Sequence, residues 1–153
     1  MKKTDVCPCG SSKIYQDCCQ RFWATQQTAQ TAEQLMRSRY TAFVLEKAQY
    51  LVDTHHPDYR ELDALKALKK SFKHTQWLGL EIVATELGQA NDHTGIVEFK
   101  AHFKSLGKIH VLHERSQFVK EQGKWFYTTG TIYQRCVKSF LSKVSHPISL
   151  YFS

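Results

Sequence analysis

Val97-Glu98-Phe99-Lys100-Ala101-His102-Phe103 alternates apolar with polar side chains at every step, the period of a strand with one face buried and one face wet. Leu80, Ile82 and Ala84 repeat the pattern upstream. Turn signals at Gly88, Asn91 and Asp92, at Ser105-Leu106-Gly107 and at Gln122-Gly123 divide the chain after Trp77 into four strands. Before Trp77 the period is helical. Thr31-Ala32-Glu33-Gln34 reads as a capping box, and Met36, Tyr40, Phe43 and Val44 follow at helical spacing, which predicts a helix over 31–46. A short helix through Tyr50-Leu51-Val52 should stop before Pro57, and a third is carried by Leu62, Leu65, Leu68 and Phe72. Helices first and an antiparallel meander after them define an α+β class, a sheet covered on one face by N-terminal helices.

Cys7-Pro8-Cys9-Gly10-Ser11-Ser12-Lys13-Ile14-Tyr15-Gln16-Asp17-Cys18-Cys19 holds four of the five cysteines. Four soft thiolates around Pro8 and Gly10 suit a closed, tetrahedral structural Zn²⁺ site, without a vacancy for catalysis. Adjacent Cys18 and Cys19 have Cα atoms about 3.8 Å apart, below the roughly 4.4 Å a disulfide needs, so they should not bond to each other. Cross-pairing with Cys7 and Cys9 remains open by geometry. Met1-Lys2-Lys3-Thr4-Asp5-Val6 has no apolar run like a secretory signal, however, and the expected location is the cytoplasm, where zinc is favoured.

The array resembles the SEC-C motif, a short zinc-binding module first associated with the C-terminus of the SecA translocation ATPase. Cys7, Cys9, Gly10, Ser11, Lys13, Tyr15, Cys18 and Cys19 match in order, while Ser12 replaces the usual second glycine and suggests a different turn. Four bound thiolates and one Zn²⁺ would lower the formal charge from +7 to about +5.

With 153 residues, 42% of them apolar, the chain can form one compact domain plus a small appendage. No apolar run approaches the ~20 residues of a membrane span. The net charge of +7 permits contact with nucleic acid or acidic protein, but the basic residues are scattered. Lys66, Lys69, Lys70 and Lys73 occupy the sector of the third helix opposite Leu65, Leu68 and Phe72, the pattern of a solvated face.

A second resemblance spans Val6 to about Gly130. Leu35-Met36-Arg37-Ser38-Arg39-Tyr40, Tyr50-Leu51, Thr54 with His56-Pro57, Trp77-Leu78-Gly79-Leu80, His113-Glu114 with Ser116 and Phe118, and Gly123 with Trp125 and Tyr127 look like the YchJ-like family. That family joins an N-terminal SEC-C motif to a middle domain like nuclear transport factor 2 (NTF2). The resemblance implies a curved sheet wrapped by helices into a cone. It places a zinc module at 1–23, a linker at 24–30, the NTF2-like domain at 31–135 and a divergent tail at 136–153. Many relatives end in a second SEC-C motif; here only Cys136, read as a lone thiol, follows the first cluster.

On the third strand Leu112, Glu114, Ser116 and Phe118 share one face, with the central two polar where a core face would be apolar. That points the two toward either a cavity or solvent; on the concave, helix-covered face of a cone it would be a cavity, where Arg37 or Arg39 could pair with Glu114 and His56, Trp77 and Trp125 could line the walls. A structural ion pair is the commoner fate of such a Glu, a helix-end or surface role that of His56, and packing that of the tryptophans. His113 falls on the opposite strand face from Glu114.

Around the cysteines Lys13 and Arg21, with Ile14, Tyr15 and Phe22 read as exposed, form a candidate docking surface. There is no Walker loop, G-x-G-x-x-G, H-E-x-x-H or G-x-S-x-G. The leading expectation is a zinc-stabilised binding or adaptor protein that docks a protein or ribosomal partner through the finger. The alternative is a small-molecule-binding protein or enzyme using the cone, and the third is weak RNA binding. The uncovered sheet face is the place for a homodimer contact.

Overall fold

The computed structural model describes residues 1–134, so the readings on 136–153, Cys136 included, lie outside the described residues. The elements are α1 (Arg21–Ala24), α2 (Ala32–Val44), α3 (Ala48–Asp53), α4 (Ala64–Ser71), β1 (Gln76–Leu87), β2 (Thr94–Ser105), β3 (Lys108–Glu121) and β4 (Lys124–Gln134). The strands form one antiparallel sheet in the order β1-β2-β3-β4, the meander expected from the turn signals.

α2 starts where the sequence places it. Thr31 Oγ1 accepts the Gln34 N–H at 3.1 Å, while Gln34 Oε1 accepts the N–H of Gln30 at 2.9 Å, one residue earlier than in a standard capping box. Leu35, Met36, Tyr40 and Phe43 of this helix join Val97, Phe99, Ala101 and Phe103 of β2 in a single core. Each such large side chain contributes roughly 1.5–3 kcal/mol by leaving water.

Two sequence readings need correction. Leu62 lies ahead of α4 and is fully exposed, because the helix begins at Ala64; its buried side is Ala64, Leu68 and Ser71. Ala84 also leaves the predicted inner face. Between Ile82 and Ala84 a register shift inserts an extra residue, so Ile82 pairs with core-facing Phe99 but Ala84 pairs with Glu98 and is exposed. A second shift lies between Trp77 and Gly79, and another between Ser116 and Phe118 where β3 meets β4. Such bulges bend strands and increase twist, which gives the sheet its curvature.

After α3 the chain lies along β4: His56 N–H donates to Tyr127 O at 2.8 Å and Tyr127 N–H to Thr54 O at 2.9 Å. That pairing covers part of an otherwise free sheet edge. The N-terminal finger is held against α2 and β1. Arg37 Nη1 donates to Cys9 O at 2.6 Å, Cys7 Sγ lies 3.7 Å from Thr41 Oγ1, and Phe22 enters the main core. Trp23 packs against both the cysteine cluster and that core. Gly10 has no room for a side chain, since a Cβ there would sit 2.9 Å from Leu80 O.

Candidate functional site

A small hairpin brings the cysteines together. Val6 bridges Ile14, and Cys7 N–H donates to Lys13 O at 2.8 Å, so the intervening residues must turn sharply. Gly10 does so at φ 75°, and Ser12, where the motif has a glycine, takes φ 63°, in the left-handed region that favours glycine. A 3-10 turn over Tyr15–Asp17 then delivers Cys18 and Cys19 to the same point.

The four sulfurs all lie within 4.8 Å of one another, with Cys9 to Cys18 at 3.5 Å and Cys18 to Cys19 at 3.8 Å. A tetrahedron of sulfurs about 2.3 Å from a central ion has an edge of about 3.8 Å, so this set fits a metal ion. The four are free thiols. Hydrogen bonds from Cys19 and Cys9 hold the Cys7 thiol far below its ordinary range, and the same contact with Cys7 drives Cys19 upward. Burial pushes Cys18 up to about 11. Without a cation at their centre, the four thiols cannot all ionise together, and a bound metal removes that conflict.

The second polar cluster lies on the other side of α2. Glu114 and Ser116 are wholly buried and Arg39 is 2% exposed. Ser116 Oγ donates to Glu114 Oε1 at 2.8 Å and Tyr127 OH to the same oxygen at 3.2 Å, leaving Glu114 Oε2 buried without a hydrogen-bond partner. Gly130 closes the space above, for a Cβ there would lie 1.9 Å from Glu114 Oε1.

The predicted Arg–Glu ion pair does not form: among the described ion pairs none joins Glu114 to Arg37 or Arg39. Arg37 turns to the finger, its Nε donating to Glu33 Oε1 at 2.9 Å. Arg39 Nη1 donates to Leu51 O at 2.8 Å and Thr54 Oγ1 at 2.6 Å, and its guanidinium lies 4.9 Å over the Tyr127 ring. Tyr127 thus stands between the two charges. Burial raises the Glu114 carboxyl to about 7 and lowers Arg39 to about 10. His55, its ring tilted against Tyr127 at 5.1 Å between centroids and its Nε2 3.2 Å from Thr128 O, is lowered to about 4 by burial and then by Arg39. At neutral pH the arginine is charged, the histidine neutral and the carboxyl only partly ionised.

The remaining predicted pocket residues do not converge on Glu114. His56 Nε2 is 2.9 Å from Glu121 Oε1 beside β4, Trp77 packs against Tyr40, Phe43 and Phe103, and Trp125 Nε1 donates to Gln30 O at 3.1 Å. His113 is on the outer face, 2.7 Å from Glu98 Oε1. Sequence reasoning did not single out His55, and it placed Thr54 and Tyr127 in the family resemblance without giving either a role in the site. Their signal was thin: a histidine next to His56 and a threonine at a helix end.

The docking surface also changes. Lys13 and Ile14 are exposed, but Tyr15 is 6% and Phe22 7% exposed. Tyr15 OH accepts from Trp23 Nε1 at 3.0 Å behind the cysteines, so neither ring offers a surface. Beside the finger instead lies a polar groove of about 630 Å³, lined by Lys3, Gln16, Asp17, Gln20, Arg21 and Gln27 among others. Arg21 stacks 4.9 Å over Phe22, and its Nε is buried without a hydrogen-bond partner.

Fold and site together define an NTF2-like α+β domain fronted by a four-cysteine finger. Residues 31–130 match the family described as YchJ, middle NTF2-like domain, and residues 4–21 match the SEC-C motif. A UPF0225 protein of Shewanella sp. (strain ANA-3) is 45% identical over 141 residues, covering 85% of this chain and 82% of that protein. The solution structure of a SEC-C motif containing protein from Rhodopseudomonas palustris superposes with a TM-score of 0.77 at 34% identity, covering 85% of this chain and all of the other. A SEC-C motif containing protein from Psychrobacter arcticus gives a TM-score of 0.68 at 34% identity over 88% of this chain and 86% of its own. The chain belongs to this family of YchJ-like, UPF0225 proteins. No helix among the described residues is long and apolar enough to cross a membrane.

Proposed function

We propose that this chain is a zinc-stabilised adaptor of the cytoplasm, which docks a protein partner through the groove beside its finger. Residues 1–23 are the docking module, 24–30 its connection and 31–135 the scaffold. The observation that carries this reading is the contrast in access. Glu114 and Ser116 are completely buried, whereas the groove next to the cysteines is open and holds an arginine with no ion pair among the described residues. Zn²⁺ suits four thiolates better than harder cations do, and a closed site of this kind holds a surface in shape.

A photo-crosslinker at Gln20, in the groove, should give adducts with a discrete partner that disappear on zinc chelation. The same crosslinker at Lys66, on the exposed side of α4, should not. Equal adducts from both positions, or adducts indifferent to chelation, would overturn the reading. The orphaned Glu114 Oε2 favours a second reading, a small ligand or ordered water reaching the interior cluster. Ligand-induced shifts of the Tyr127 or Ser116 resonances, without any change at Gln20, would support it.

A further inference from the structure

We propose that Cys18 is the oxidation-sensitive ligand of the four-cysteine centre, and that a peroxide joins it to Cys9 in a disulfide that expels the metal ion. The proposal rests on the zinc reading above. Three of the four cysteines are sealed: Cys7 is 2%, Cys9 0% and Cys19 1% exposed. Cys18 is the half-buried one. A small oxidant therefore meets its sulfur first, and the thiolate, the form in which a cysteine binds a metal, is also the nucleophilic form.

Geometry selects the second sulfur. Cys9 Sγ lies 3.5 Å from Cys18 Sγ. Cys19 is close as well, at 3.8 Å, but it is the next residue, and neighbouring Cα atoms about 3.8 Å apart are too close for an unstrained disulfide. Cys7 Sγ faces Thr41 Oγ1 at 3.7 Å. In the first step the Cys18 thiolate attacks the peroxide, forming an S–O bond, breaking the O–O bond and releasing hydroxide. In the second the Cys9 thiolate attacks the Cys18 sulfur, the S–S bond forms and the second hydroxide leaves. Two electrons pass from the two sulfurs to the peroxide, which would leave only Cys7 and Cys19 as thiolates, too few to retain the metal.

The change reaches the body of the protein. A disulfide requires the two sulfurs to close to about 2.05 Å. Cys9 also supplies the carbonyl that accepts Arg37 Nη1 at 2.6 Å, so pulling on this residue loosens the finger from α2. Ser11 Oγ lies 3.2 Å from Cys18 Sγ; to a Cys18 thiolate, which has no proton to give, the hydroxyl can only donate, and that hydrogen bond tempers the sulfur's nucleophilicity.

The test uses the full chain with its zinc content measured first, then treated with hydrogen peroxide in the presence of a chromophoric zinc chelator. Zinc should be released faster than with chelator alone, the first disulfide mapped by mass spectrometry should join Cys9 to Cys18, and a thiol reductant plus zinc should restore the starting state. Ser11→Ala should release zinc faster, by about tenfold if one hydrogen bond to a charged sulfur is lost. Release at the chelator-only rate from a fully loaded chain, or a first disulfide between any other pair, overturns the proposal while leaving the zinc reading intact. A chain that binds no zinc at the outset overturns the zinc reading itself.

Discussion

The cysteine finger and the Arg39–Tyr127–Glu114 cluster are both polar sites packed against α2, yet they resolve buried charge in opposite ways. The finger gathers its groups from thirteen consecutive residues, and their charge calls for a cation from outside. The interior cluster gathers Arg39, Thr54, Glu114, Ser116 and Tyr127 from distant parts of the chain. Its charge is moderated from within, because burial lets the carboxyl hold a proton up to about pH 7 and the guanidinium is shared among a carbonyl, a hydroxyl and a ring. One helix serves both: Arg37 and Thr41 face the finger, Ser38 and Arg39 the interior.

Metal removal should have the largest effect, and it separates the two regions. Chelation is expected to cost more than any single side-chain substitution, since metal binding to such sites is itself folding free energy of order 10 kcal/mol in isolated fingers. Trp23 fluorescence should change first, because its ring touches the cysteine cluster, while the sheet persists in far-ultraviolet circular dichroism. A melt unchanged by chelation would show that the finger adds nothing to the body.

The interior cluster should instead answer to pH. Glu114 has a folded-state pKa of about 7 against an ordinary 4.5, so the folded state holds the proton more tightly than the unfolded chain. Its contribution is fully present below about pH 4.5 and is lost as pH rises toward 7. His55 has the opposite sign: at about 4 against 6.5, its contribution is present above pH 6.5 and lost as pH falls toward 4. The two slopes oppose each other over the shared window. Glu114→Gln removes one of them, so its stability relative to the parent should rise with pH through that interval, by roughly 3 kcal/mol in total. Urea melts from pH 4 to 8 measure this, and a constant difference would mean that Glu114 is ionised throughout.

Gly130→Ala probes the same carboxyl by volume. Its methyl would strike Glu114 Oε1, and overpacking of this kind costs about 1–3 kcal/mol. The loss should shrink when Glu114→Ala is added, and strictly additive losses in the double-mutant cycle would place the strain elsewhere.

The smallest effect returns to the finger. Ser12→Gly should stabilise the zinc-loaded chain by about 1 kcal/mol, because φ 63° costs a non-glycine residue roughly that much more than glycine. A denaturant midpoint that falls would show the hydroxyl or the stiffer unfolded chain to outweigh the strain.

The metal site could be read from the chain because its ligands are local: two short spacings and two turn residues leave four sulfurs little choice of position. Helix order, strand number and the inner face of β2 were equally legible, since a single period governs each. What the chain did not reveal were effects of one element on another. Tyr15 and Phe22 read as exposed beside the cysteines, but the finger packs on α2 and buries both. Ala84 read as inward, but a bulge one residue earlier turns it out. Glu114, which the structure buries completely, showed in the chain as a polar residue on an otherwise apolar strand face, toward a cavity or solvent. Its partner did not, because Arg37 and Arg39 are two apart on one helix, and only the placement of the finger and of β4 sends one to Cys9 and sets the other over Tyr127. Sequence periodicity fixes which face a side chain takes on its own element; the packing of elements against each other decides what that face meets.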